Sequence, residues 1–183
     1  MKRILASVLG LILSGSIAFA TEAAPDCIAN GQVLPVNNEQ VLLWKKQTKN
    51  QYKNRGHIYG VVTNIYAGKA SHQHFQVKIG EGPRDTIEVV YNTSFREIDN
   101  LRVGATVESC GDYITSNAKA GHYKPSPDGA ILHWVHESTN NRHDSGYVMV
   151  DGVLHGMPHG RQFYDFDYDY DGEADFDSLA PAM

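Results

Sequence analysis

The chain has 183 residues, with 21 acidic and 16 basic side chains and a formal net charge of −5. Seven of the acids follow Phe163 with no base among them, so the acidity belongs to the tail and residues 21–163 are balanced. The net charge therefore does not exclude a polyanion as a partner of the body of the protein. The length is that of one domain and excludes a chain too small to bury a core.

Residues 1–20 have the order of a secretory signal peptide. Lys2 and Arg3 precede an apolar run over residues 4–17, and Ala18-Phe19-Ala20 has the small-residue pattern of a cleavage site. The apolar run is too short for a membrane span, and no second run follows it. We expect the mature protein to begin at Thr21, to have no transmembrane segment and to be periplasmic or secreted.

Two cysteines are present, Cys27 in an N-terminal arm over residues 21–38 and Cys110 far along the chain. In an exported protein an even pair of cysteines is typical of a disulfide. We predict a bond between Cys27 and Cys110 that fixes the arm to a distant strand. The alternative is two free thiols.

An amphipathic helix is predicted over residues 39–55. Apolar residues recur there at intervals of three to four, and Gly56 ends the pattern. We expect Leu43, Trp44 and Tyr52 to pack on the body. The opposite face carries Lys45, Lys46, Lys49, Lys53 and Arg55. Such a basic stripe is typical of a surface that follows a phosphate backbone, and equally of a solvated helix face.

Beyond Gly56 the pattern changes to short β-rich runs, predicted at residues 57–66, 73–79, 86–91, 105–113 and 130–136. Residues 95–101 are predicted to form one helical turn, and residues 147–155 form a hairpin around Asp151-Gly152. The predicted fold class is therefore mainly β. It is a small OB-like five-stranded barrel with an N-terminal amphipathic helix and a C-terminal hairpin, together over residues 39–160. The spacing also allows a sandwich.

The last predicted strand of the barrel leads into a polar loop that is rich in histidine. His133, His136 and His143 fall within eleven residues, and Trp134 lies between the first two. Histidine can ligate a metal, transfer a proton or pair with an anion near neutral pH, so its clustering at a strand end indicates a site. The alternative is a set of exposed loop histidines around a tryptophan that closes the barrel.

Several motifs occur in an order that resembles a family of small exported bacterial proteins, the domain-of-unknown-function family 3465. They are His72-Gln73-His74-Phe75, Tyr91-Asn92, Val103-Gly104, Gly111-Asp112-Tyr113, His133-Trp134-Val135-His136, His143 and Gly146. The resemblance spans residues 57–155 and implies an OB-like fold. This chain departs from the family pattern at Val135, where Thr is usual, at Glu137-Ser138, which replaces x-Asp-Pro, and at His155, which replaces Tyr. Glu137 or Asp144 is a possible substitute for the missing Asp.

His72 and His74 are two residues apart in a predicted strand, so their side chains share one face. Two such imidazoles can bind one divalent ion if the loop supplies further ligands. Because only His72 matches the family pattern, the predicted ligands of zinc or another divalent transition metal are His72, His133, His136 and His143, with His74 in reserve. The alternative is that His72 and Gln73 satisfy backbone groups at the entrance of a strand.

The acidic tail, residues 161–183, contains the spacing of a calcium-binding loop. Asp167, Asp169, Asp171 and Asp175 stand at positions one, three, five and nine of that pattern, with Gly172 at position six. Ser178 occupies position twelve, where an EF-hand has Glu, and no flanking helices are evident. We predict one weak calcium loop, the alternative being a disordered solvating tail.

Two functions are compatible with these features. The first is an exported OB-fold module that binds an oligonucleotide or an oligosaccharide through a site rich in histidine and tryptophan. Its predicted ligand contacts are His72, Gln73, Asn92, Tyr113 and Trp134, with Tyr113 and Trp134 as stacking platforms. The second is a histidine- or metal-dependent hydrolase that cuts a phosphodiester or another extracellular polymer. The sequence lacks a glycine-rich phosphate loop, a serine elbow and a catalytic cysteine, which argues against nucleotide-triphosphate chemistry and acyl transfer.

Overall fold

The computed structural model describes residues 23–69, 71–139 and 143–157, with the backbone alone at residue 69. The predicted signal peptide and the predicted calcium loop lie outside these residues. Within them, no helix is long and apolar enough to cross a membrane.

Nine strands, one α-helix and one 3₁₀ turn make up the described chain. The strands are β1 (Ile28–Ala29), β2 (Gln32–Val33), β3 (Lys53–Lys69), β4 (His72–Lys78), β5 (Thr86–Asn92), β6 (Thr106–Thr115), β7 (Ala130–His133), β8 (Tyr147–Val150) and β9 (Val153–His155). The helix α1 (Asn38–Gln47) precedes β3, and the 3₁₀ turn (Thr93–Phe95) follows β5.

Seven strands form one sheet in the order β3-β4-β5-β7-β6-β8-β9, and β3 also pairs with β6. Strands β3, β4, β5, β7 and β6 therefore make a ring, in which β5 and β7 are the parallel pair. This confirms the predicted fold class of a mainly β chain with five ring strands, a preceding helix and a following hairpin.

Strand β3 belongs to two parts of the ring because it is 17 residues long. Its first half pairs with β6 and its second half with β4, and Val61 takes part in both pairings. A Cβ atom on the neighbouring Gly60 would overlap the backbone carbonyl of Lys78. Glycine is therefore required where the strand changes partner.

The core lies inside the ring, where alternate residues of the strands meet the helix. Val41 and Leu42 are the helical residues that are buried, together with Phe75, Val89 and Leu132 of the strands. The prediction that Leu43 packs on the body is wrong, since its side chain is 42% exposed. Trp44 does pack, with ring centres 5.3 Å from Tyr113 and 6.1 Å from Tyr52.

The helix is shorter than predicted and ends at Gln47, because Thr48 has extended backbone angles. Lys53 and Arg55 instead lie in β3, paired with β6, and Arg55 is buried. Lys45 donates hydrogen bonds to the carbonyl oxygens of Arg84 and Thr86, at 2.7 and 2.6 Å. The predicted basic stripe on one helix face therefore does not form.

Two further boundaries differ from the prediction because non-glycine residues take left-handed angles. Arg96 has φ 79° and ends the 3₁₀ turn, so no helical turn spans residues 95–101. Trp134 has φ 52° and ends β7 at His133, three residues earlier than predicted.

The hairpin around Asp151-Gly152 is confirmed, with φ 48° and 79° at the two turn residues. A second hairpin, β1–β2, was not predicted in the N-terminal arm. It turns at Asn30-Gly31, with φ 52° and 75°. Positive φ at both central residues is what a two-residue hairpin turn of this kind requires.

The predicted disulfide is present: Cys27 is bonded to Cys110 of β6, with their Cα atoms 5.6 Å apart. Both cysteines are buried against Tyr147, Met149 and Leu154 in a second apolar cluster. The bond holds the N-terminal hairpin against the face of the sheet that is turned away from the core, and it is consistent with an exported protein.

Candidate functional site

Three histidines lie on the face of the sheet that is turned away from the core. On β4, His72 and His74 alternate with the buried Phe75 and Val77. On β7, His133 follows the buried Leu132. The ring centre of His72 is 6.2 Å from that of His74 and 6.0 Å from that of His133. We call these three the strand histidines.

Two more histidines, His136 and His143, come from the segment after β7, and we call them the loop histidines. Their ring centres are 5.3 Å apart. Trp134 lies between the two groups, with its indole 4.4 Å from the His133 ring and stacked on His143 at 4.8 Å. The strand histidines, the loop histidines and Trp134 together form what we call the histidine patch.

Hydrogen bonds from two backbone N–H groups fix the base of the loop that carries His136 and His143. The N–H of Gly146 donates to the carbonyl of His136 at 2.7 Å, and the N–H of Ser138 donates to Oγ of Ser145 at 3.1 Å. A Cβ on Gly146 would overlap the carbonyl oxygens of Trp134 and Cys110, so the two ends of the loop approach closely only with glycine there.

His136 is the most unusual member of the patch. It is 4% exposed and stacked on Phe95 with ring centres 4.1 Å apart. Its Nδ1 lies 2.7 Å from the carbonyl oxygen of Glu137, whereas its Nε2 is buried with no hydrogen-bond partner among the described residues. Since a carbonyl only accepts, Nδ1 carries the proton and Nε2 presents a lone pair. Burial lowers the pKa of His136 to about 4, so the ring is neutral at pH 7.

His143 and His133 are also suited to donate a lone pair. Nδ1 of His143 lies 3.0 Å from the carbonyl oxygen of Asp144, which again leaves Nε2 as the acceptor. Burial, followed by the charges of His72 and the other histidines, lowers the pKa of His133 to about 3. Neutral imidazole is the form that ligates metals.

His74 is oriented by a buried carboxylate that is not among the site residues predicted from the sequence. Its Nδ1 lies 2.7 Å from Oε1 of Glu88, whose other oxygen accepts from the hydroxyl of Ser126 at 2.5 Å. Glu88 is 7% exposed and is the only charged residue of β5. A lone carboxylate inside an apolar strand was the sequence signal for this partner, whereas Phe95 had no such signal.

The structure brings His72, His133, His136 and His143 into one patch, whereas the other predicted ligand contacts have different roles. Tyr113 is fully buried in the core, so its predicted role as a stacking platform for a ligand is wrong. Gln73 accepts from the N–H of Ile98 at 2.8 Å, which is the backbone role left open as an alternative. Asn92 pairs with His72 across the sheet and accepts from the N–H of Ser94 at 2.9 Å.

The histidine rings do not already converge on a single point. Over residues 23–69, 71–139 and 143–157, no three or more histidine, cysteine or carboxylate side chains are arranged as a formed metal site. The indole of Trp134 contacts one ring of each group, His133 and His143. The calcium residues Asp167, Asp169, Asp171 and Asp175 lie outside the described residues.

The patch lies within a region of the chain that a protein-family model matches. No curated protein matches the chain. A family model described as "Protein of unknown function (DUF3465)" matches residues 27–155, from the first cysteine to the end of β9. The match covers the whole sheet and both groups of histidines, and the chain belongs to this family.

Proposed function

We propose that this chain is an exported ligand-binding domain whose histidine patch holds a divalent transition metal, with zinc as the simplest choice. The observation that carries the proposal is the buried Nε2 atom of His136, which has no hydrogen-bond partner in the described part of the chain. Leaving such an atom unpaired costs about 1 to 3 kcal/mol, so native structures rarely keep one. A metal ion is a partner that a lone pair of this kind can take.

The hydrogen bonds of the patch support the same conclusion. Metal-bound histidines almost always donate their second ring N–H to a carbonyl, a carboxylate or water. His136 and His143 donate to backbone carbonyls, and His74 is held by Glu88. Each of these three imidazoles therefore has the kind of partner that fixes a metal ligand.

The spacing of the rings fits shared coordination within each group. Two imidazoles bound to one zinc, at N–Zn distances of ~2.0–2.1 Å, have ring centres roughly 5 to 6 Å apart. The pair His136 and His143 is at 5.3 Å, and the pair His72 and His133 is at 6.0 Å. We therefore propose all four as ligands, with His74 in reserve. To hold one ion with both pairs, the side chains would have to rotate and the Trp134 indole would have to move aside.

The donor atoms favour zinc or a related transition metal over calcium at this place. The proposed ligands are all imidazoles, which suit zinc, copper and nickel, whereas calcium takes hard oxygen ligands. Both cysteines are occupied in the disulfide and contribute no thiolate.

The ligand of the domain is proposed to be an oligonucleotide or an oligosaccharide that lies over the patch. OB barrels bind such chains on the outer face of their second and third strands, and β4 and β5 are the second and third strands of the ring here. Trp134 is partly exposed beside them and offers a ring on which a base or a sugar can stack. A bound cation would add positive charge that attracts the phosphate groups of an oligonucleotide.

Zinc titration of the metal-free protein tests the metal site. We expect one zinc per chain, a change in tryptophan fluorescence as the indole moves from His143, and at least about tenfold weaker binding in His136→Phe. Phenylalanine keeps a ring against Phe95 but removes the lone pair. His122→Ala is the matched control, because His122 is exposed in the loop before β7. Equal zinc binding by parent and His136→Phe would contradict the proposal.

A second candidate function is hydrolysis, and the open face of the patch favours it. The side chain of His74 is 22% exposed, so solvent reaches this strand histidine. If three of the imidazoles held the metal, the fourth position would be open to a water of lowered pKa, which would suit hydrolysis of a phosphodiester.

Two assays on the zinc-loaded protein separate binding from hydrolysis. Fluorescence anisotropy with labelled single-stranded DNA and with labelled oligosaccharides measures retention, and gel analysis of the same DNA measures cleavage. A binding domain retains one of these probes intact. Cleavage that is present with zinc and lost in His136→Phe would establish the hydrolase instead.

A further inference from the structure

Arg55 is a buried cation at the base of the loop that carries His136 and His143. Its side chain is 7% exposed, and its guanidinium contacts three separate parts of the chain. Nη1 donates to Oδ1 of Asp112 at 2.7 Å, and Nε donates to the carbonyl of Ile28 at 3.2 Å. Nη2 donates to the carbonyl of Ser145 and lies 3.3 Å from Sγ of Cys110.

The contact with Ser145 reaches the loop histidines through two further bonds. Oγ of Ser145 accepts from the N–H of Ser138, and the next residue, Gly146, donates its N–H to the carbonyl of His136. His143 is two residues before Ser145. Fixing the carbonyl of Ser145 therefore fixes the place where the two ends of the loop meet, beside His136 and His143.

The contact with Asp112 reaches the strand histidines. Asp112 on β6 is the cross-strand partner of His133 on β7, and directly opposed residues have neighbouring side chains on one face. Arg55 is in turn the cross-strand partner of Asp112 on β3. The guanidinium thus lies in the same row as His133 and also supports the loop.

The remaining two contacts join this arrangement to the disulfide. Cys110 is bonded to Cys27, and Ile28, which follows Cys27, provides the carbonyl that accepts from Nε. The planar guanidinium has donors in a fixed fork, so one arginine can hold the N-terminal hairpin, β6 and the loop at defined angles. A lysine ammonium is a point charge without that fork.

We propose that Arg55 is the positioning residue of the histidine patch, coupling the hairpin anchored by Cys27–Cys110 to the loop that carries His136 and His143. The effect on metal affinity rests on the proposed function, whereas the effect on the loop does not. Arg55→Lys keeps the charge and loses the fork, and Arg55→Gln loses both. Arg102→Gln is the matched control, because Arg102 pairs with Asp151 at the exposed turn between β8 and β9.

The first measurement is amide hydrogen exchange by NMR on the metal-free variants. The N–H groups of Gly146 and Ser138 are expected to exchange at least about tenfold faster in Arg55→Lys than in the parent, and at the parental rate in Arg102→Gln. The N–H of Asp151, in the β8–β9 turn, donates to the carbonyl of Thr106 on β6. It should stay protected in Arg55→Lys, and that protection shows that the sheet is folded. Unchanged protection of Gly146 and Ser138 would overturn the positioning role whether or not the protein binds a metal.

The second measurement is the affinity for cobalt(II), with its ligand-field absorption spectrum. We expect Arg55→Lys to bind cobalt about tenfold more weakly than the parent and with a shifted spectrum, because the loop histidines lose their orientation. Parental affinity and spectrum in a variant whose loop amides exchange faster would overturn the claim that Arg55 positions the site. Absence of cobalt binding by the parent would instead sink the proposed function, and the amide result would then decide the role of Arg55. If Arg55→Gln does not fold, Arg55→Lys and Asp112→Asn carry the test.

Discussion

His136 shows how one residue of the patch departs from the usual rules for buried polar groups. Its ring is covered by Phe95, one nitrogen is satisfied by the carbonyl of Glu137, and the other has no partner in the described chain. The left-handed backbone of Trp134 permits this placement, since it turns the chain away from β7 directly after His133. Backbone angles of this kind in a bulky residue are strained and are often found at functional sites.

The low pKa of His136 predicts how the stability of the metal-free protein depends on pH. The pKa is about 4 in the folded chain and 6.5 in the unfolded chain, so the unfolded state binds more protons between these values. The unfolding free energy is therefore at its full value above pH 6.5 and decreases as the pH falls toward 4. Between pH 7 and pH 5 we expect the parent to lose about 2 kcal/mol more unfolding free energy than His136→Phe.

Urea unfolding at the two pH values, with a chelator present, measures this difference. The control is His122→Ala, which should follow the parent because His122 is exposed. The same pH dependence in the parent and in His136→Phe would mean that the ring is not buried as a neutral group.

At the scale of elements, the N-terminal hairpin is the part least able to hold itself in place. Its two strands have two residues each, and isolated hairpins are marginally stable even when longer. It stays on the sheet because Cys27 is bonded to Cys110 and because Arg55 binds the carbonyl of Ile28. The hairpin in turn provides part of the surroundings of Arg55.

Removal of the disulfide should therefore be costly. We expect the double variant Cys27→Ser, Cys110→Ser to lose roughly 2 to 5 kcal/mol of unfolding free energy, because the bond closes a long loop in the unfolded chain. Urea unfolding of parent and variant provides the comparison, and mass spectrometry of the alkylated parent without reductant checks that the bond forms. Two alkylatable thiols in the parent, or equal stability of the two proteins, would refute this expectation.

The acidic tail remains a prediction from sequence. We propose that Asp167, Asp169, Asp171 and Asp175 bind one calcium ion weakly, with a dissociation constant on the order of 10⁻⁴ to 10⁻³ M, as extracellular modules do. Titration calorimetry compares the mature protein with a version that ends at Phe163. Calcium uptake by the longer form alone is the expected result, and equal uptake by both would place the ion elsewhere or show that none binds.

For the molecule as a whole, the sequence predicted the fold better than it predicted the partners of the site residues. The five ring strands and the hairpin were found because alternation and the Asp151-Gly152 turn are local signals. The helical spacing of the lysines before it predicts Arg55 on a helix face, whereas its burial depends on contacts with Ile28, Asp112 and Ser145, which are distant in sequence. Tyr113 is predicted as a stacking platform because it is aromatic, whereas it alternates with Asp112 along β6 and lies on the buried face with Val107.

The histidine patch was predicted as a set of residues but not as an arrangement. His133, His136 and His143 are close in sequence, and the shared face of His72 and His74 follows from their spacing. The interposed indole of Trp134, the buried Nε2 of His136 and the bond from Glu88 to His74 depend on a backbone turn and on long-range contacts. Such features are set by the tertiary fold and leave no periodic signal in the sequence.

X-ray absorption at the zinc edge of the zinc-loaded mature protein tests the metal site most directly. The expected spectrum has a first shell of nitrogen atoms at ~2.0–2.1 Å with the outer-shell scattering of several imidazoles, and fewer imidazoles in His136→Phe. A first shell of oxygen atoms alone, or the same spectrum in parent and variant, would contradict metal binding by the histidine patch.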